Sequence, residues 1–149
     1  MSRARRQHAV LAIAVLLTAL LVASVRVAVV EGDSMQPALD NGQIVLVNRL
    51  YRLFGRLRRG DVVLLRRSND VLVKRVAYVP GDVVPRREAR RFRRATDYFE
   101  PAPRGGLLVP PATVVVLGDN APMSDDSRAF GPVPAGDIIG RVVGAPAGR

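Results

Sequence analysis

Residues 71–82 read VLVKRVAYVPGD, a run of strand formers closed by a Pro-Gly-Asp turn. With a period of two, Leu72, Lys74, Val76 and Tyr78 fall on one face, and Arg75 falls on the other with Val71, Val73, Ala77 and Val79. Outward from this run the chain repeats the pattern: short β-branched segments punctuated by Gly-Asp pairs at Gly32-Asp33, Gly60-Asp61, Gly81-Asp82, Gly118-Asp119 and Gly136-Asp137. Glycine supplies the positive φ of a tight turn, and aspartate bonds to nearby backbone. The expected strands are Gln43 to Asn48, Asp61 to Arg67, Val71 to Val79, Leu107 to Val109, Thr113 to Leu117 and Asp137 to Val143. No segment after residue 30 sustains a 3.6-residue period. The expectation is a mainly β domain, a partly open barrel or coiled sheets.

Lys74 is the single lysine among 23 cationic side chains. Arginine stays protonated in a protein, whereas a lysine among apolar neighbours loses its proton more easily and becomes a candidate base. Codon bias accounts for the scarcity of lysine but not for where the survivor sits. There is no cysteine, and the sole histidine, His8, lies in the basic N-terminal segment. A thiol nucleophile and a histidine triad are thereby excluded, which leaves a Ser/Lys pair as the hydrolase arrangement this inventory can build. Ser34 follows the Gly32-Asp33 turn, which would present its hydroxyl and leave its backbone N–H free for an oxyanion.

From Ala9 to Val25 the only polar residues are Thr18 and Ser24, and after Arg26 the apolar character resumes through Val30. Seventeen helical residues span about 25 Å against a hydrocarbon thickness of about 30 Å, with Arg26 able to snorkel. Arg3, Arg5 and Arg6 precede the run, which assigns the N-terminus to the cytoplasm and the rest to the outside. A cleaved signal peptide is the competing reading, but no small-x-small site precedes a polar start. The expected organisation is a basic segment 1–8, a transmembrane helix 9–30 and a domain 31–149.

The formal charge of +10 is scattered, and aromatics are only 5% of residues, which disfavours a nucleic-acid binder. Residues 86–94 hold six arginines in nine positions and are expected to be an exposed insertion, about 86–105. It is either a solvated loop or a contact for anionic headgroups.

Four groups of residues resemble, in order and spacing, the boxes of the type I signal peptidases, membrane-anchored Ser/Lys endopeptidases. They are Ser34-Met35-x-Pro37; Arg59-Gly60-Asp61-Val62-Val63; Lys74-Arg75-Val76 with Pro80-Gly81-Asp82; and Gly118-Asp119-Asn120 with Ser124-x-Asp126-Ser127-Arg128. The resemblance implies that Ser34 is the nucleophile and an oxyanion donor through its N–H, that Lys74 is the general base, and that Ser124 orients the lysine. It implies that Asp126 and Arg128 form a structural ion pair, that Gly118 and Asp119 build the floor, and that Met35, Leu39, Leu72 and Val73 line pockets for small side chains. It implies no metal or cofactor, signal peptides of secretory pre-proteins as substrates cut after small-x-small, the lipid bilayer as a partner, no nucleic acid, and a place in the bacterial cytoplasmic membrane. The chain departs from the pattern at Gly32, where some members carry a second, hydroxyl oxyanion donor, at Ala38, and at Ala121-Pro122. The rival readings are a maturation or conjugative-transfer peptidase of the same superfamily, a Ser/Lys autoprotease of the SOS-repressor type, and a non-catalytic arginine-rich membrane protein binding anionic lipid or nucleic acid.

Overall fold

The computed structural model describes residues 3–146. Helix α1 (Arg3–Ser24) is followed by strands β1 (Val25–Val29), β2 (Ile44–Asn48), β3 (Val62–Arg67), β4 (Asp70–Tyr78), β8 (Thr113–Leu117), β9 (Val133–Pro134) and β10 (Ile138–Val142) of one sheet. Between β4 and β8 a smaller sheet holds β5 (Val83–Val84), β6 (Glu100–Ala102) and β7 (Gly106–Leu108). Short helices α2 (Tyr51–Phe54), α3 (Arg86–Ala89) and α4 (Ser127–Phe130) lie in the connections. The large sheet is antiparallel and open, ordered β1-β2-β10-β3-β4-β8-β9, and the small one is ordered β5-β7-β6. The fold is β-rich, as expected, and the six anticipated strands all form within one or two residues of the expected bounds.

Strand β3 is covered on both faces. Val62 and Leu64 enter one apolar cluster with Val30, Met35, Leu39, Val45, Val47 and Val142, while Val63 and Leu65 enter another with Val76, Val114, Val116 and Ile138. A strand buried on both faces reads as a continuous apolar run, and sheet must fold over each side of it. Bulges between Val76 and Tyr78 and between Ile138 and Gly140 supply the local bend. Tyr78 thereby leaves the Val76 cluster and packs in a third one with Val84, Phe92, Phe99, Val109 and Val115.

Two expectations are corrected. The apolar run 9–30 is not one helix: α1 ends at Ser24, and Val25–Val29 pair in register with Asn48–Ile44. A valine-rich run satisfies either geometry, and the ladder offered by β2 decides for the strand. The apolar part of α1 is therefore about 24 Å long, and among the described residues no helix is long and apolar enough to cross a membrane.

The arginine-rich segment, expected as an exposed insertion, is a folded lobe. Ala89, Phe92, Ala95 and Phe99 are buried, with the Phe92 and Phe99 rings edge-to-face at 5.5 Å, while Arg86, Arg87, Arg90, Arg91, Arg93 and Arg94 are exposed. A seam of small and aromatic residues every three or four positions is enough to roll the segment onto the sheet.

Candidate active site

Ser34 lies in the turn-rich connection between β1 and β2. Its neighbour Met35 has no exposed surface and anchors the turn in the first cluster, and the Met35 carbonyl accepts the Leu39 N–H at 3.0 Å. Asn120 holds the turn from above: its N–H donates to the Ser34 carbonyl and its Nδ2 to the Asp33 carbonyl, both at 3.0 Å. Gly118 completes the fit. A Cβ there would lie 2.6 Å from the Ser34 carbonyl oxygen and would overlap the Ser124 side chain, so only glycine lets β8, Ser34 and Ser124 approach this closely.

Lys74 sits opposite Val63 in the β3–β4 ladder and is 3% exposed. Its Nζ is hydrogen-bonded to Ser34 Oγ at 2.8 Å, across forty positions of sequence. Burial pushes the ammonium below its ordinary value of 10.5; the negative charges of Asp126 and Asp125 oppose this, and Arg128 adds to it. The two sequence candidates are thus brought into contact, with the lysine in the environment that favours the neutral amine.

Behind the dyad, Asp126 is 1% exposed and caps α4. Its carboxylate accepts from Arg128 Nε at 2.8 Å and Nη2 at 2.5 Å, from the Arg128 N–H at 3.1 Å, from the Gly118 N–H at 2.9 Å and from Ser124 Oγ at 2.7 Å. Burial alone would raise this carboxyl, but the bonds from Arg128, Gly118 and Ser124 together hold it below the usual carboxylate value. The expected ion pair is present. The hydroxyl of Ser124 donates to Asp126 rather than standing uncommitted, which leaves its lone pairs as what it can offer to an amine.

The Asp119 carboxylate is held bidentately by Arg75, at 2.8 and 2.7 Å. Arg75 also donates to the carbonyls of Gly60 and Pro146. Sequence reasoning named Asp119 but missed Arg75 and Asn120 as parts of the scaffold; the signal was there, since Arg75 is placed on the face opposite Lys74 by the period of two.

Ser34 and Lys74 open into a cleft of about 420 Å³ whose walls include Ala28, Val30, Val71, Leu72 and Val73. Leu72 and Val73 are among the residues that line this cleft. Met35 and Leu39 are not: they are 0% and 2% exposed, turned into the first cluster, because the turn that raises the Ser34 hydroxyl drives its apolar neighbours inward. Gly32 is no second oxyanion donor as it stands. It has no side chain, and its N–H donates to Asn41 Oδ1 at 3.0 Å.

The family model "Signal peptidase, peptidase S26" matches residues 3–93 and 89–145 of this chain. Signal peptidase I of Bacillus caldolyticus is 33% identical over 136 residues, covering 76% of this chain and 75% of that protein. A protein of Staphylococcus aureus named inactive signal peptidase IA is 30% identical over 129 residues, 76% of this chain and 74% of its own length. A solved signal peptidase I from Enterococcus faecalis V583 aligns with a TM-score of 0.42 at 26% identity, over 58% of this chain and 97% of that one.

Proposed function

The chain belongs to the peptidase S26 signal peptidase family, and from that premise we propose that it is an active Ser/Lys endopeptidase that removes signal peptides from secretory pre-proteins. A relative named inactive stands beside one named signal peptidase I, so membership alone does not carry activity. What supports it is the 2.8 Å contact of Lys74 Nζ with Ser34 Oγ in a site that burial keeps poor in water.

In the reaction, neutral Lys74 takes the Ser34 proton as Oγ attacks the scissile carbonyl. The Ser34 N–H faces the oxyanion, the peptide bond breaks with the proton passed from Lys74 to the leaving amine, and the signal peptide remains as an ester on Ser34. Lys74 then removes a proton from water for deacylation. Ser124, anchored by Asp126, presents an acceptor that steers the amine toward Ser34. Arg128 keeps Asp126 ionised, and Arg75 with Asp119, together with Asn120, keeps the Ser34 turn against β4 and β8. The substrate binds extended in the cleft between Ala28–Glu31 and Val71–Lys74, and the walls at Leu72 and Val73 favour small side chains by overlap with larger ones.

The domain works at the extracytoplasmic face of the cytoplasmic membrane, held there by α1. Val10, Leu11, Leu16, Leu17 and Leu20 of that helix are more than half exposed, a surface that needs an apolar surrounding. Because α1 is too short to cross an unperturbed bilayer, this placement requires flanking arginines and local thinning to take up about 6 Å.

The test is to incubate the detergent-solubilised protein and its Ser34→Ala and Lys74→Ala variants with a precursor bearing Ala-x-Ala, and to map products by mass spectrometry. Cleavage after the second alanine by the parent alone is expected. A parent that leaves the precursor intact, where a signal peptidase I cuts it, overturns the reading.

A further inference from the structure

A second cavity, of about 510 Å³, lies away from Ser34, at the end of the sheet where α1 runs into β1. Leu20, Arg49, Arg52, Arg66, Asp137 and Ile139 are among the residues around it. Topology explains the concentration of cations. The exit of α1, the end of β2, the end of β3 and the start of β10 all meet here, and each contributes one flank.

Arg52 is fixed in the wall: it donates to the carbonyls of Ala135 and Ile138 and to the Tyr51 hydroxyl. Arg49 and Arg66 are exposed, and among the described residues none of the three is in an ion pair. Three guanidinium groups against the one carboxylate of Asp137 leave the cavity strongly positive. The Arg49 N–H donates to the Ser24 carbonyl at 2.8 Å, which ties the arginine-bearing segment to the end of the helix.

Guanidinium forks suit phosphate oxygens, and an apolar helix leading out of a cationic cavity suits a molecule with an anionic head and an alkyl tail. We propose that this cavity seats the headgroup of an anionic bilayer phospholipid, its phosphate on Arg49 and Arg66 and an acyl chain along Leu20. The inference rests on the reading of α1 as embedded in the membrane, because that reading sets the cavity at headgroup depth. It goes beyond peptidase activity: the lipid would set the height of the domain over the bilayer, and so the reach of the Ser34 cleft.

The experiment titrates the full chain, purified in a non-ionic detergent, with phosphatidylglycerol and with phosphatidylcholine, and follows lipid-bound protein by native mass spectrometry. Phosphatidylglycerol is expected to bind in preference. The double variant Arg49→Gln/Arg66→Gln is expected to weaken it roughly thirtyfold, from the attraction general to two arginines near an anionic lipid. Arg90→Gln/Arg91→Gln removes the same charge from the exposed lobe and is expected to change binding less than twofold, with folding of both checked by circular dichroism. Equal weakening in the two doubles, or none in the first, overturns the proposal. So does competition by glycerol phosphate or inorganic phosphate as strong as that by the lipid, which would make the cavity a site for soluble anions. Alkaline extraction of membranes carrying the parent tests α1 separately: release of the chain sinks the embedded reading, whereas retention with lipid binding unaltered in Arg49→Gln/Arg66→Gln sinks only the lipid seat. Ser34→Ala is expected to bind lipid as the parent does, so failure of the peptidase reading leaves a distinct signature.

Discussion

Strand β4 serves two polar clusters four residues apart, and they are built on opposite principles. At Tyr78 every charge has a partner: the phenol donates to Glu88 at 2.5 Å, Arg59 bonds Asp82 at 2.7 Å and lies over the Tyr78 ring, and Asp82 also accepts the Val79 N–H. At Lys74 the ammonium has a hydroxyl for its hydrogen-bond partner, while the carboxylate that acts on it most, Asp126, is bound to Arg128. Burial raises the Tyr78 phenol, with the bond to Glu88 adding to it, and lowers the Lys74 amine. The first shift keeps the proton on the phenol, whose bond to Glu88 ties the arginine-rich lobe to the sheet; the second favours the neutral amine. Burial stabilises the fold when the charges are matched and makes reactivity when one is not.

The largest effect that would break this contrast is at Lys74 itself. Lys74→Arg keeps the charge but cannot shed the proton, and cleavage should fall at least about a hundredfold while the melting curve stays cooperative. A Lys74→Arg enzyme of parental rate would end the base assignment. The parent's rate should rise with pH through an apparent pKa below 10.5, the ordinary lysine value. The linkage has a definite sign. The unfolded chain binds the Lys74 proton more tightly than the folded one, so the penalty is fully present below the folded pKa and fades as pH rises toward the unfolded value. Relative to Lys74→Met, the parent should therefore gain stability across that window, as denaturant titrations at several pH values would register.

Asp126→Asn comes next. It strands the Arg128 guanidinium and should cost about 3 kcal/mol of stability. It also removes a charge that holds the Lys74 proton on, so the acid limb of the pH–rate profile should move to lower pH. A limb that stays put would mean that Asp126 acts on the fold alone.

Tyr78→Phe sharpens the comparison from the other side. Loss of one charge-assisted bond should cost about 1–2 kcal/mol with kcat unchanged, read by thermal melts and steady-state kinetics. The smallest effect is expected at Arg59→Ala, since that side chain is 57% exposed: at most about 1 kcal/mol, shrinking in high salt.

Much of the site was legible in the chain because it depends on residue inventory and on a period of two. A lone lysine in a strand, with Leu72 and Val76 on its own face, marks a candidate base, and a serine after a Gly-Asp turn a candidate nucleophile; it is the four boxes in order that single the two out. The Gly-Asp rule also held where it is local: Gly60 and Gly81 adopt positive φ, and the following carboxylates accept the backbone N–H groups of Arg58 and Val79. It failed at Gly118-Asp119, where the glycine answers a close approach by Ser34 and Ser124 and the aspartate a distant arginine. Contacts across many tens of residues leave no periodic trace.

The sequence by itself determined a β-rich domain and its strands, and narrowed the candidate dyad to Ser34 and Lys74, since alternation and residue inventory are properties of the chain read locally. Only the tertiary structure decided that Val25–Val29 leave the helix for a strand, that Met35 and Leu39 turn inward rather than face the cleft, that the arginine-rich segment folds into a lobe, and that Asn120 bonds the Ser34 turn while Arg75 holds the neighbouring Asp119. Each of these depends on which partner reaches a given surface first and buries it best, a competition among distant segments that is resolved when the chain packs.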